Sequence, residues 1–134
     1  MRWFTRAKAS RFPSDMLRRM DLLGRYQLGS HASGIDGEEI WPHCIAPFAQ
    51  VSNADRDGFL RDLRAVAAED QGGFATLGVA CLVWELYGGE ALTVPAALPL
   101  IDAGIDFKLA RGLPTASLTG YEMKRLIQRD ADAH

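Results

Sequence analysis

The sequence predicts an all-α protein, a compact single domain of five or six helices around one buried central helix. That helix is the stretch 73–88, which is bounded by glycines and is strongly polar only at Thr76 and Glu85. A helix that is apolar nearly all round belongs in a protein core or in a membrane. Because about 20 consecutive apolar residues are needed to cross a bilayer, and this run is shorter, we predict a core helix. Glu85 is expected to reach solvent or an arginine at the helix end.

The composition is typical of one folded domain. The chain has 134 residues, of which 48% are hydrophobic and 24% charged, and its formal net charge is −2. These values exclude a disordered or fibrous chain and give no overall attraction for nucleic acid or anionic membranes. The N-terminus lacks the apolar core of a secretory signal, and the abundance of Arg and Ala is typical of bacteria with GC-rich genomes. We therefore predict a bacterial cytoplasmic protein in which Cys44 and Cys81 are unpaired, buried thiols.

Residues 1–13 form a basic and aromatic N-terminal arm, which precedes a helical domain predicted over residues 14–130. The arm contains no acidic residue, and its basic and aromatic side chains include Arg2, Trp3, Arg6, Lys8 and Arg11. Such arms bind nucleic acid or lie in an anionic membrane interface. The alternative is a loose terminus whose aromatic rings pack on the domain. Residues 131–134 are predicted to be a frayed C-terminus.

The first helix is predicted to begin at Ser14, which can cap it, and to end near Leu23 or Tyr26. Gly24 weakens the last turn, so the exact end stays open. The glycine-punctuated residues 29–37 predict a surface loop. Their glycine order matches no phosphate-binding fingerprint, which argues against a nucleotide site there.

Residues 38–52 predict a kinked helix or a broken pair of short helices. The apolar side chains recur at helical spacing, but Pro42 and Pro47 prevent one regular helix because each lacks an N–H and crowds the preceding turn. His43 and Cys44 look like a ligand pair, yet neighbours on a helix point about 100° apart. We therefore expect a half-exposed histidine and a buried cysteine, and no metal-binding spacing supports another interpretation.

Residues 53–70 imitate the spacing of a calcium-binding loop. Asn53, Asp55 and Asp57 occupy its first, third and fifth positions, but Arg64 stands at the twelfth, where a bidentate glutamate is needed. We predict instead a helix capped by Asn53, with both aspartates in the first turn, where the helix dipole favours negative charge.

Two further helices complete the predicted bundle. One ends before Gly112 and carries Asp102 and Asp106 on one face, where we expect them to pair locally with arginines. The alternatives are a Lys or Arg elsewhere in the fold, or a metal ion. The other begins at a capping box formed by Thr119 and Glu122.

The leading functional prediction is a non-catalytic protein-binding module, similar in role to an immunity protein, an adaptor or a small regulator. It would bind a basic partner protein through an acidic surface, since such a surface also steers association. The predicted surface comprises Asp36, Glu38, Glu39, Asp55, Asp57 and Asp62. The alternative interpretation is a solvated face that keeps the protein soluble.

Two other functional classes stay open. The first is a small-molecule-binding protein or enzyme with a pocket between helices. Its candidate residues are Trp41, His43, Cys44, Trp84, Glu85 and Tyr121. The second is a nucleic-acid-binding or membrane-surface protein that uses the N-terminal arm. The sequence contains no nucleophile with an adjacent base, no cofactor loop and no metal-ligand spacing, so we predict neither a cofactor nor a metal.

Overall fold

The computed structural model describes residues 12–28, 37–112 and 118–133, and within them every regular element is helical. The elements, in chain order, are α1 (Met16–Leu28), α2 (Gly37–Ile40), a π-helical turn (Trp41–Ile45), α3 (Ala46–Ala54), α4 (Arg56–Asp70), α5 (Phe74–Tyr87), a 3₁₀ helix (Gly88–Thr93), α6 (Leu98–Ala110) and α7 (Gly120–Ala133). Because α2, the π-helical turn and α3 run on as one bent helix, the bundle has six helices in this part of the chain. The predicted all-α class is confirmed.

Helix α5 is the centre of the core. Every residue from Ala75 to Val83 is buried, and helices α1, α4 and α6 pack around this helix. The prediction that this apolar stretch forms a core helix is therefore confirmed. Among the described residues no single helix is long and apolar enough to cross a membrane, although the bent pair Phe74–Thr93 and Leu98–Ala110 meets that test by length and composition alone.

Two glycines let α1 and α5 approach with their backbones nearly in contact. A Cβ atom on Gly78 would overlap the carbonyl oxygen of Met20, and one on Gly24 would overlap that of Phe74. Helix α1 continues past Gly24 to Leu28, so this glycine allows close packing and does not end the helix. Because both obstacles are backbone atoms, a side chain at either position requires the two helices to separate.

We expect Gly78→Ala to lower the free energy of unfolding by about 2 kcal/mol, because overpacking typically costs about 1–3 kcal/mol. The higher helix propensity of alanine, about 1 kcal/mol, offsets only part of the overlap with Met20. Chemical denaturation measures the change. Gly120→Ala is the control, since a Cβ there meets no neighbouring atom. If Gly78→Ala proved as stable as the parent, the close approach of α1 and α5 would be wrong.

The predicted bend lies at the two prolines. Pro42 falls in the π-helical turn and Pro47 in the first turn of α3, where a missing N–H is tolerated. The N–H of Ala46 donates to the carbonyl oxygen of Trp41, which is a hydrogen bond over five residues. The wider turn accommodates the prolines without separating α2 from α3.

The predicted cap of α4 is wrong. Helix α3 continues to Ala54, so Asn53 lies inside it, and the cap is Asp55, whose Oδ1 accepts a hydrogen bond from the N–H of Gly58 at 3.1 Å. Aspartate and asparagine are about equally good caps. Asp55 caps because its backbone is extended between the two helices.

The capping box at the start of α7 is confirmed. The N–H of Thr119 donates to Glu122 Oε1 at 3.0 Å, and the N–H of Glu122 donates to Thr119 Oγ1 at 3.3 Å. These reciprocal bonds fix where α7 begins.

The predicted pairing of the α6 aspartates with arginines is also confirmed, but the arginines lie on α7 and not nearby in the chain. Arg125 donates to both carboxylate oxygens of Asp102, at 2.8 and 3.0 Å, and Arg129 pairs with Asp106 at 3.0 Å. The hydrogen bond to Asp102 raises the pKa of Arg125. These pairs hold α7 against α6, and α7 stays helical to Ala133, past the point where the sequence predicts fraying.

Candidate functional site

A cleft opens between the last turns of α5 and the first turns of α7. Its volume is about 440 Å³, within the range of about 300–1,000 Å³ that is usual for ligand sites. We call it the aromatic cleft and define it by Cys81, Trp84, Glu85, Tyr121 and Lys124. The two helices each contribute one aromatic ring and one charged group to it.

Trp84 and Tyr121 form one wall of the aromatic cleft. Their rings are stacked, with centroids 5.5 Å apart and planes inclined by 15°. Gly89 allows the Tyr121 ring to pack closely against the backbone, because a Cβ at this position would lie 3.3 Å from a ring carbon of Tyr121. Tyr121 keeps 38% of its surface exposed and lines the cleft, so part of this residue is accessible to a molecule that enters it.

Glu85 and Lys124 bring opposite charges to the aromatic cleft. Glu85 is exposed, which confirms that it reaches solvent. Lys124 is exposed as well, and its Nζ lies 6.0 Å from the centroid of the Tyr121 ring. Within the described part of the chain, neither side chain forms an ion pair. Both charges are therefore accessible to a molecule that enters the cleft.

A buried ion pair supports the α7 side of the cleft. Lys108 Nζ donates to Glu122 Oε1 at 2.8 Å, and the two side chains are only 4% and 3% exposed. The same Oε1 accepts the N–H of Thr119. The pair thus connects the buried end of α6 to the capping box that positions Tyr121.

Sequence reasoning missed Lys108. Glu122 was predicted only as a helix cap, and its role as a counter-ion depends on a residue of another helix. The available signal was a single lysine in Leu98–Ala110, a helix otherwise rich in apolar residues. A lysine in such a helix needs a buried partner or must extend its amine to solvent.

Cys81 lines the aromatic cleft and is only 4% exposed. Burial raises its pKa far above the usual value, and the nearby Lys108 lowers it by a smaller amount. The sulfur is therefore a protonated thiol near neutral pH. Because the thiolate is the nucleophilic form of cysteine, this side chain contributes an apolar surface and not a reactive group.

The aromatic cleft contains only the three predicted pocket residues that lie on α5 and α7. The other three, Trp41, His43 and Cys44, lie on the bent segment and do not line the aromatic cleft. Trp41 is 53% exposed and Cys44 is fully buried. His43 lines a separate depression beside Arg18, and its carbonyl oxygen accepts a hydrogen bond from Arg19 at 2.9 Å. The predicted half-exposed histidine and buried cysteine are confirmed, and both cysteines are free.

The acidic side chains are accessible but are not isolated from cations. The exposed ones are Glu38, Glu39, Asp55 and Asp57. Asp62 is partly buried, and Asp36 lies outside the described residues. Arg56 stands between two of these aspartates and pairs with Glu90 at 3.1 Å. Arg56 therefore places positive charge within the predicted acidic surface, next to Asp55 and Asp57 in the chain.

The residues proposed for the N-terminal arm, Arg2, Trp3, Arg6, Lys8 and Arg11, lie outside the described residues. Binding of nucleic acid or a membrane through them stays a prediction. At the end of the arm, Phe12 packs edge-on against Phe48 and Phe59, with centroids 5.9 and 5.6 Å apart.

The fold and the site define a helical bundle with an open, aromatic, ligand-sized cleft. No protein-family model, curated protein or solved structure matches this chain. Among the described residues, no group of three His, Cys, Asp or Glu side chains is arranged to hold a metal ion.

Proposed function

We propose that this chain is a non-catalytic binding protein and that it holds its ligand in the aromatic cleft. The observation that carries the proposal is the Trp84–Tyr121 stack, one ring of which stays 38% exposed beside a volume of about 440 Å³. Exposed aromatic rings provide a large contact area and lose little rotamer entropy on binding. Flanked by a few polar groups, such a concave surface is typical of binding sites.

The rigidity of the cleft also supports binding. Tyr121 lies in the first turn of a capped helix, and Glu122 ties that turn to Lys108 in the core. Because this wall is already ordered, little conformational entropy is lost when a ligand binds. The protonated thiol of Cys81 favours binding over covalent chemistry at this site.

Nuclear magnetic resonance can test this proposal, because the chain has three tryptophans, each with one indole N–H signal. We expect members of a library of aromatic fragments to shift the signal of Trp84 and to leave that of Trp41 unchanged. Trp84→Phe assigns the signal, and Tyr121→Ala should abolish the response. Fragments that shift the Trp41 signal equally, or a library that shifts neither signal, would contradict the proposal.

Binding of a basic protein through the acidic surface is the second candidate, because Glu38, Glu39 and Asp57 are exposed. The exposure of these carboxylates makes electrostatic steering available. The triple variant Glu38→Gln, Glu39→Gln, Asp57→Asn should bind a lysine-rich peptide several-fold more weakly at low ionic strength. Equal binding by parent and variant would remove this candidate.

For location we propose the cytoplasm of a bacterium. The support is the composition of the sequence and the two free, buried thiols, which suit a reducing compartment. Fractionation of the native host should recover the protein with cytoplasmic markers, and recovery with the envelope would contradict this.

A further inference from the structure

We infer that the aromatic cleft takes a small zwitterion of the amino-acid class. Its ammonium group would bind Glu85, its carboxylate would bind Lys124, and its planar body would lie against Tyr121. The inference rests on the proposed function, because it names the chemistry of the ligand in the same cleft.

The aromatic cleft presents one negative and one positive side chain. Glu85 comes from α5 and Lys124 from α7, both line one cavity, and neither forms an ion pair within the described part of the chain. Because both groups line one cavity, we expect a ligand with both complementary charges to contact them together. Charge-assisted hydrogen bonds are stronger than neutral ones, so each contact adds affinity as well as orientation.

This pair of charges also disfavours ligands that carry only one charge. An amine that approaches Glu85 without a carboxylate leaves the ammonium of Lys124 beside another cation. A carboxylate that approaches Lys124 without an amine meets the Glu85 carboxylate. Repulsion of this kind is how a site rejects close analogues, so a zwitterion is favoured over both.

Lys124 lies over the ring of Tyr121 in the aromatic wall. Its Nζ lies 6.0 Å from the centroid of Tyr121, at the outer limit of a cation–π contact. A second cation on this ring face would be repelled. The ligand's ammonium is therefore directed toward Glu85, and its apolar body is left for the ring.

Three probes with one phenyl ring separate the contributions of charge: L-phenylalanine, 2-phenylethylamine and 3-phenylpropionate. The Trp84 indole signal measures their dissociation constants, and the phenyl ring adds no indole signal. For the parent protein we expect L-phenylalanine to bind at least about fivefold more tightly than either analogue, a modest factor because both charged groups are exposed.

Charge-neutral variants assign the two contacts. Glu85→Gln should weaken the binding of L-phenylalanine and 2-phenylethylamine but not the binding of 3-phenylpropionate. Lys124→Gln should weaken the binding of L-phenylalanine and 3-phenylpropionate. This variant should bind 2-phenylethylamine as tightly as the parent protein does, or more tightly. Glu69→Gln, which changes an exposed carboxylate outside the cleft, is the matched control and should leave all three dissociation constants unchanged.

The outcomes separate this inference from the proposed function. If the three probes shift the Trp84 signal with equal affinity, or if Glu85→Gln and Lys124→Gln change nothing, the cleft still binds ligands but the zwitterion inference is wrong. If the three probes leave the signal unmoved while other aromatic fragments shift it, the inference also fails and the binding function stands. If no probe and no fragment shifts the Trp84 signal, the zwitterion inference and the proposed binding function are both wrong.

Discussion

Leu82→Asp is expected to abolish cooperative folding. Leu82 is completely buried in the middle of α5, so the new carboxylate would lie in the core without a counter-ion. Burying an unpaired ionised group costs several kcal/mol or forces its protonation, which is comparable with the whole stability of a small domain, about 5–15 kcal/mol. Thermal unfolding followed by circular dichroism should show no sharp transition.

Two variants control this experiment. Leu82→Met conserves volume, and such exchanges usually cost less than about 1.5 kcal/mol. Glu85→Gln changes an exposed side chain of the same helix and should leave the fold intact. If Leu82→Asp kept a cooperative transition near that of the parent, α5 would not be the centre of the core.

Lys108→Met is expected to lower the free energy of unfolding by about 3–5 kcal/mol, because it leaves one member of a buried ion pair without its partner. Methionine fills a similar volume, so the loss reflects the unpaired carboxylate of Glu122 and not a cavity. Urea denaturation measures the change. Arg56→Met breaks a partly exposed pair with Glu90 and should cost no more than about 1 kcal/mol.

The double variant Lys108→Met, Glu122→Gln tests the electrostatic origin of this effect. Glutamine removes the buried charge and keeps an oxygen that can accept the N–H of Thr119. The double variant should therefore be more stable than Lys108→Met alone. A double variant as unstable as the sum of the single changes, or a Lys108→Met no worse than Arg56→Met, would contradict the buried pair.

Much of the fold was predictable because helical periodicity is local. The uniformly apolar stretch identified α5, two prolines located the bend, and the Thr119–Glu122 spacing located the start of α7. The α4 cap was misplaced because Asn53 and Asp55 cap equally well as isolated residues. Asp55 is the cap because α3 continues to Ala54 and includes Asn53. Where α3 ends depends on packing, which the local sequence does not show.

The candidate site was only partly predictable because it joins residues distant in the chain. Trp84 and Tyr121 were both named from sequence, but nothing local indicated that their rings stack. Trp41, His43 and Cys44 were equally plausible pocket residues by residue type. They belong to the bent segment, which does not line the aromatic cleft. Lys108 was missed because a buried ion pair is a property of two helices.

Glu122 accepts hydrogen bonds both from the backbone at the start of α7 and from a lysine inside the core. The ligand-facing wall and the core consequently share one anchoring atom, Oε1. We expect thermodynamic coupling between them: a ligand that binds Tyr121 raises the unfolding temperature, and weakening the pair at Lys108 lowers affinity without touching the ligand.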